Sequence, residues 1–302
     1  MNASLTILGS NSALPAHGRH PSAQLLIIGK NHILIDCGEG TQFQFNKYRL
    51  SKMKVSHIFI SHLHGDHVFG LPGFLTSLIL LSRTEPIIII GPVGIKKMME
   101  QIFEATSAHF TYEIDFIETD TENSSIILDN EYFSVENIPL KHKIPCNGYL
   151  FREKPRQKNI RSEIIEKYGL NPAQIISLKN NEKIQMDKGE LTPEEALYIK
   201  HTPKSYAYCS DTSYLPGLSE LIQNIDLLYH EATYLKDFTI KAAERGHSTA
   251  SQAAQLAKDA NVKKLLIGHP SSKYADVQPL VDESLEIFSN TEFAFEGKTF
   301  EL

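Results

Sequence analysis

The chain contains no run of 18 apolar residues, which excludes a membrane-spanning helix. Basic residues are missing ahead of the apolar stretch within Met1–Ser10, so no secretory signal is expected, and Leu5 to Leu8 reads as a short strand. Cysteine is scarce. Cys37, Cys146 and Cys209 are odd in number and far apart, and no C-x-x-C occurs, which disfavours both a disulfide scaffold and a cysteine zinc site. Free thiols in a reducing cytoplasm are expected instead. Positive charge is also short. The net charge of −6 argues against a nucleic-acid partner, since such proteins are usually basic. No repeat of fixed period stands out. What remains is an ordinary globular composition, 41% hydrophobic and 22% charged, over 302 residues, enough to bury a substantial core.

The first 150 residues read as short strands separated by turns. Gln24 to Ile28 and His32 to Ile35 flank Gly29-Lys30-Asn31, a hairpin signal. Val55 to Ser61 is a further strand, and Ile87 to Ile90 is a fully apolar one. Tyr112 to Ile117, Ser125 to Leu128 and Tyr132 to Pro139 follow. Helices are expected at Leu71 to Ser82, with Pro72 tolerated in the first turn, and at Val93 to Ala105. After residue 205, strands (Tyr206 to Ser210, Asp226 to Glu231, Lys264 to Gly268) alternate with helices (Leu215 to Gln223, Thr249 to Ala260, Val277 to Phe288), an α/β pattern. Between them, residues 152–200 are polar, charged and poor in core-type strands. They read as an insertion projecting from a single domain of residues 1–302, with short helices at Arg161 to Tyr168 and Pro193 to Lys200. Charge is uneven at its start. From Lys141 to Arg161 seven basic residues face one acid, Glu153. Alone, such a run reads as a solvated loop.

The strongest chemical signal is Ser61-His62-Leu63-His64-Gly65-Asp66-His67. Three imidazoles and a carboxylate fall within six residues, directly after an apolar strand. Neutral imidazole and carboxylate are natural ligands for zinc and related divalent ions. His62 and His64 alternate and so can share one metal, while Asp66 and His67 turn toward a second position. Isolated histidines such as His57 and His109 read as structural.

This His-x-His-x-Asp-His segment resembles the signature of the metallo-β-lactamase superfamily. The resemblance implies an α/β, four-layer αββα sandwich with metals at one edge of its two sheets, and ligands recurring at later strand ends. His142, Asp211 and His269 stand at such ends. By resemblance His62, His64 and His142 bind one metal, Asp66, His67 and His269 the other, and Asp211 bridges them. Two divalent ions, expected to be Zn2+, are implied. The carboxyl-terminal half is more specific. His230-Glu231-Ala232-Thr233-Tyr234 and Gly246-His247-Ser248-Thr249-Ala250 resemble the ribonuclease Z family, as do Leu8-Gly9-Ser10 and Gly70-Leu71-Pro72-Gly73-Phe74. These points span residues 8 to 269.

That family resemblance implies a cytoplasmic endoribonuclease, a homodimer, that removes the 3′ trailer of precursor tRNA. The products would be a tRNA with a 3′-hydroxyl and a trailer with a 5′-phosphate. It gives Asp66 the role of proton acceptor, His247 that of protonating the departing oxygen or stabilising the transition-state charge, and Glu231 that of a supporting partner. It also makes the insertion an arm that grips the tRNA, with Arg152, Lys154, Arg156, Lys158 and Arg161 placed to bind phosphates. The match is incomplete there. A Gly-Pro-rich segment is replaced by Leu170-Asn171-Pro172-Ala173-Gln174, and Pro203-Lys204-Ser205 fits a basic proline loop only in part. Two other readings stay open at this point. One is a small-molecule metallohydrolase acting on an ester, thioester or lactam, which needs neither basic arm nor Gly246-His247-Ser248. The other is an RNA-binding module that kept the fold and lost its metals, which the seven-residue ligand set opposes.

Overall fold

A computed structural model describes residues 3–186 and 189–302. Along the chain the strands are β1 (Ser4–Gly9), β2 (Ala23–Ile28), β3 (Asn31–Ile35), β4 (Val55–Phe59), β5 (Ile87–Pro92), β6 (Ile114–Thr119), β7 (Ser125–Asp129), β8 (Phe133–Leu140) and β9 (Cys146–Glu153). The inserted segment adds the short β10 (Asn159–Ile160), β11 (Ile184–Met186), β12 (Gly189–Leu191) and β13 (Leu197–Tyr198). There follow β14 (Ser205–Cys209), β15 (Leu227–Glu231), β16 (Lys264–Gly268), β17 (Thr291–Phe293) and β18 (Thr299–Glu301). Two seven-stranded sheets result, one ordered β18-β1-β2-β3-β4-β5-β6 and the other β17-β16-β15-β14-β9-β8-β7.

Two compact units divide the chain: residues 1–152 with 204–302, and residues 153–203. In the larger unit the sheets share a core. Ile33, Ile35 and Phe59 from the first meet Tyr149, Phe151, Tyr206, Tyr208 and Tyr229 from the second. The alternate residues, Leu34 and Ile58 in one sheet and Leu150, Ala207, Leu228 and Ile267 in the other, face outward and pack under helices. Period-two alternation with apolar residues on both faces is what a strand buried on both sides requires. Helices Leu71–Leu80 and Ile95–Ala105 cover the first sheet, and Ala250–Asp259 and Gln278–Leu285 the second. The architecture is the four-layer αββα sandwich.

Several elements depart from the sequence expectation. The stretch after Lys143 is no loop, because β9 runs through it as a buried strand pairing with β14. Its Asn147, Gly148 and Arg152 mask an apolar pattern carried by Cys146, Tyr149, Leu150 and Phe151. Helix Leu218–Leu221 is shorter than expected, and helix Thr41–Lys47 was not expected at all.

The smaller unit has its own core of Leu170, Leu178, Ile184, Leu191, Ala196 and Leu197. The Leu170-Asn171-Pro172-Ala173-Gln174 segment starts helix Pro172–Lys179. Asn171 Oδ1 accepts from the Gln174 amide at 2.9 Å and Gln174 Oε1 accepts from the Asn171 amide at 3.0 Å, a reciprocal cap with proline at the first helical position. Thr192 and Glu195 cap Pro193–Ala196 alike, and the chain then enters β13 where a longer helix was expected. Among the described residues no helix is long and apolar enough to cross a membrane.

Candidate metal centre

Past β4 the chain runs extended from Ser61 to His64, then makes one helical turn at Gly65–Val68. The turn is docked on the segment after β3. The Cys37 amide donates to the His67 carbonyl and the Gly70 amide to the Cys37 carbonyl, each at 2.8 Å. β8, β14 and β16 end beside it and deliver His142, Asp211 and His269. Strand ends are where such sandwiches can gather polar groups without breaking the core.

The seven expected donors fall into two sets. His64 Nδ1 lies 2.9 Å from His62 Nε2 and 3.2 Å from His142 Nε2. His67 Nε2 lies 3.4 Å from both Asp66 Oδ2 and His269 Nε2. Asp211 gives one oxygen to each set. Its Oδ2 is 3.7 Å from His62 Nε2 and 3.6 Å from His142 Nε2, while Oδ1 is 3.3 Å from His67 Nε2 and 3.1 Å from His269 Nε2. Four donors about 2.0–2.2 Å from one zinc would form a tetrahedron with edges of about 3.3–3.6 Å. The observed separations bracket that value, and the imidazole–carboxylate chemistry suits a divalent cation, so the donor set fits metal binding.

The outer ring nitrogens of His142, His67 and His62 have partners. His142 Nδ1 donates to the Gly246 carbonyl at 2.8 Å, and His67 Nδ1 donates to Asp36 Oδ2 at 2.6 Å. His62 Nδ1 lies 3.0 Å from Ser61 Oγ. Such partners fix the ring and turn Nε2 inward. Gly246 is a steric necessity here. Its φ is +75°, and a Cβ would stand 2.9 Å from His142 Nδ1.

Burial, reinforced by the His67, His142 and His64 rings against an opposing Asp211, holds His62 well below the ordinary imidazole range, so it is neutral. Burial likewise lowers His142. His67 is the opposite case. Burial disfavours its charge, but Asp211, Asp66 and Asp36 together outweigh burial and raise it. A cation entering there displaces a proton. His247 is also pulled up, to about 9. Burial works against it, but the Glu231 carboxylate 2.9 Å from Nδ1 prevails. Glu231 itself is fully buried and accepts from the amides of Thr212, Thr233 and Ser248, from the Thr233 hydroxyl and from His247.

Sequence reasoning missed Asp36. It is fully buried just past β3, with Oδ1 accepting from the Ser61 amide at 2.7 Å and Oδ2 from the Ser61 hydroxyl, His67 and the Tyr208 hydroxyl. A lone aspartate closing the apolar run Ile33-Leu34-Ile35 was the available signal. The Ala13 amide was missed too. It donates to Asp66 Oδ2 at 2.7 Å from a left-handed residue (φ 59°). A cavity of about 700 Å³ opens over the donors and is lined further by Leu14, Phe69, Lys143 and Arg245.

The five residues expected to bind phosphates divide between the two units. Arg152 is exposed on β9, in the larger unit and outside the inserted one. In the smaller unit Arg156 donates to the buried Glu153, and His201 Nε2 donates to the same carboxylate at 2.6 Å. Arg161 lies over the Tyr198 ring. Lys154 is half-buried and Lys158 exposed.

Comparison with known proteins supplies an independent line. A family model described as Anti-Pycsar protein Apyc1 matches residues 3–145, less than half of the chain. The chain is 40% identical over 300 residues to a ribonuclease Z of Porphyromonas gingivalis, covering 99% of each. It is 41% identical over 303 residues to a ribonuclease Z of Cytophaga hutchinsonii, covering 99% of this chain and 96% of that one. Among solved structures, the short form of human tRNase Z superposes with a TM-score of 0.70 at 28% identity, over 99% of this chain and 98% of that one. A metallo-β-lactamase fold protein from Bacillus subtilis gives 0.70 at 18% identity over the whole of both chains, a likeness of fold alone.

Proposed function

This chain belongs to the ribonuclease Z family, and from that premise we infer that it cuts precursor tRNA to remove the 3′ trailer, leaving a 3′-hydroxyl on the tRNA and a 5′-phosphate on the trailer. The observation that carries the reading is Asp211, whose two oxygens serve two separate donor sets beside a wide cavity. Two divalent ions held by His62, His64, His142 and Asp211 and by Asp66, His67, His269 and Asp211, zinc being expected for such ligands, would lower the pKa of a water and offset charge on the phosphoryl oxygens.

The chain's own groups do the rest. Asp66 faces the cavity with Oδ2 steadied by the Ala13 amide. Burial favours its protonation, but His67 and His269 hold it far below the ordinary carboxylate range. It is therefore ionised and has lone pairs free to accept a proton from a water at the centre. His247 commits Nδ1 to Glu231 and carries its transferable proton on Nε2. With its pKa near 9 it is charged at neutral pH and suited to protonate the departing ribose oxygen. Glu231 holds the ring and sustains the charge.

The tRNA body is bound away from the cut. Arg156 and Arg161 have structural partners, so Arg152 and Lys158 are the cleaner test. In the Arg152→Ala, Lys158→Ala double variant the slope of log affinity against log salt should fall by about 0.7–0.9 for each phosphate no longer neutralised. An unchanged slope would remove both residues from the interface. A homodimer working in the cytoplasm is part of the same reading, and sedimentation would measure the pairing. The deciding experiment is incubation with a 3′-extended tRNA and mapping of the cut. Cleavage directly behind the tRNA's 3′ end is expected, and no cleavage with two zinc ions bound would defeat the assignment.

A further inference from the structure

Among the residues lining the cavity over the donors, Phe69 carries the most exposed large apolar side chain. Its neighbour Val68 is fully buried, yet Phe69 is 69% exposed, on the rim of the cavity over the donors. Its backbone is fixed. The Phe69 amide donates to the Gly65 carbonyl at 2.9 Å, which closes the turn, and the ring lies back over Gly65. A Cβ at Gly65 would come within 2.3 Å of ring carbon Cε2, so only glycine leaves it this berth. Gly65 sits between His64 and Asp66, so the ring lies next to the donors.

Leu14 continues the apolar wall. It lines the same cavity, is 50% exposed, and its carbonyl accepts from the Asn11 side-chain amide at 2.7 Å. The preceding Ala13 amide ties this loop to Asp66. Lys143 and Arg245, both exposed, supply positive charge around the same opening. One cavity therefore combines a phosphodiester-cutting centre, two cations and an exposed aromatic face. A nucleotide has the matching parts: a phosphate for the centre and cations, and a flat base for the ring. We propose that Phe69, backed by Leu14, is a stacking seat for the nucleobase of a nucleotide adjoining the scissile phosphodiester, and so positions that bond over the donors.

This seat rests on the tRNA-cutting reading, and the test separates the two. Three 3′-extended tRNAs are compared: one intact, one abasic at the nucleotide before the cut, one abasic at the nucleotide after it. Phe69→Ala should lower kcat/KM on the intact substrate by roughly 5- to 150-fold, the range of about 1–3 kcal/mol found for one stacked base. Phe69→Tyr should restore most of it. On one of the two abasic substrates the wild type should already show a comparable loss, and Phe69→Ala should add little to it. An equal further loss on both abasic substrates would overturn the seat, as would no loss on the intact one. If the wild type cuts none of the three, the tRNA reading itself fails and the seat falls with it.

Discussion

At the scale of single residues, the centre depends on side chains held in backbone conformations that most residues avoid. Asp36, Asp211 and His269 have φ of 55°, 52° and 58°, each just past the end of a strand. Left-handed backbone costs a non-glycine residue of order 1–3 kcal/mol, although aspartate and histidine visit it more readily than most. It ends the extended run at once and lets the chain leave the sheet beside its neighbours. Of the three, Asp36 is no donor, yet it fixes the tautomer of His67. Asp36→Asn would present an amide to the Ser61 N–H or to His67. Loss of a partner behind a ligand typically costs 10- to 100-fold, so zinc affinity at the position served by His67 should fall by about that much in competition with a chelator. Unchanged affinity would make Asp36 a core residue only. His62, His64, Asp66 and His67 could be read in sequence because they are neighbours there. Asp36 could not, because its partners Ser61, His67 and Tyr208 meet it only in the fold.

Among elements, the inserted unit shows what a count of charges along its basic stretch leaves out. Charge counting takes each lysine or arginine as solvated, whereas Glu153 is buried and holds Arg156 and His201. Burial would raise the Glu153 carboxyl, but hydrogen bonds from His201 and Arg156 outweigh it and lower its pKa. A carboxyl with a lowered folded-state pKa contributes stability above its unfolded value, about 4.3, and that contribution is lost as pH falls through the folded one. Glu153→Gln should therefore lower Tm by several degrees at pH 7. The gap to wild type should narrow below about pH 4 and close in stronger acid. A gap independent of pH would mean packing, not charge, is at stake. Strand β9 was hidden for a related reason, since Asn147 and Arg152 interrupt an apolar pattern that both faces of the sheet nonetheless bury. Strands β1, β2, β3 and β16 were legible because short apolar runs ended at plain turn residues. Helix Thr41–Lys47, with little periodicity, draws its stability from Phe45 packed on Phe74.

Across the whole molecule, the centre joins the two sheets. β4 of the first sheet leads into His62, His64, Asp66 and His67, while β8, β14 and β16 of the second lead into His142, Asp211 and His269. Ions bound there stabilise only the folded form, by about 4 kcal/mol when present at a thousandfold over Kd. Stripping the protein with a chelator should lower Tm by several degrees, and zinc should restore it. A Tm indifferent to chelation would show that the sheets hold the ligands without help. The order of the donors along the chain has a further meaning for how the protein is born. His62, His64, His142 and Asp211 have all been made by residue 211, but Asp66 and His67 wait for His269. β1 waits longer still for β18, its neighbour from the other end of the sequence. Pairings between such distant residues form slowly. A chain still emerging from the ribosome can thus complete one donor set but not its pair, and it acquires the means to cut RNA only once His269 has emerged.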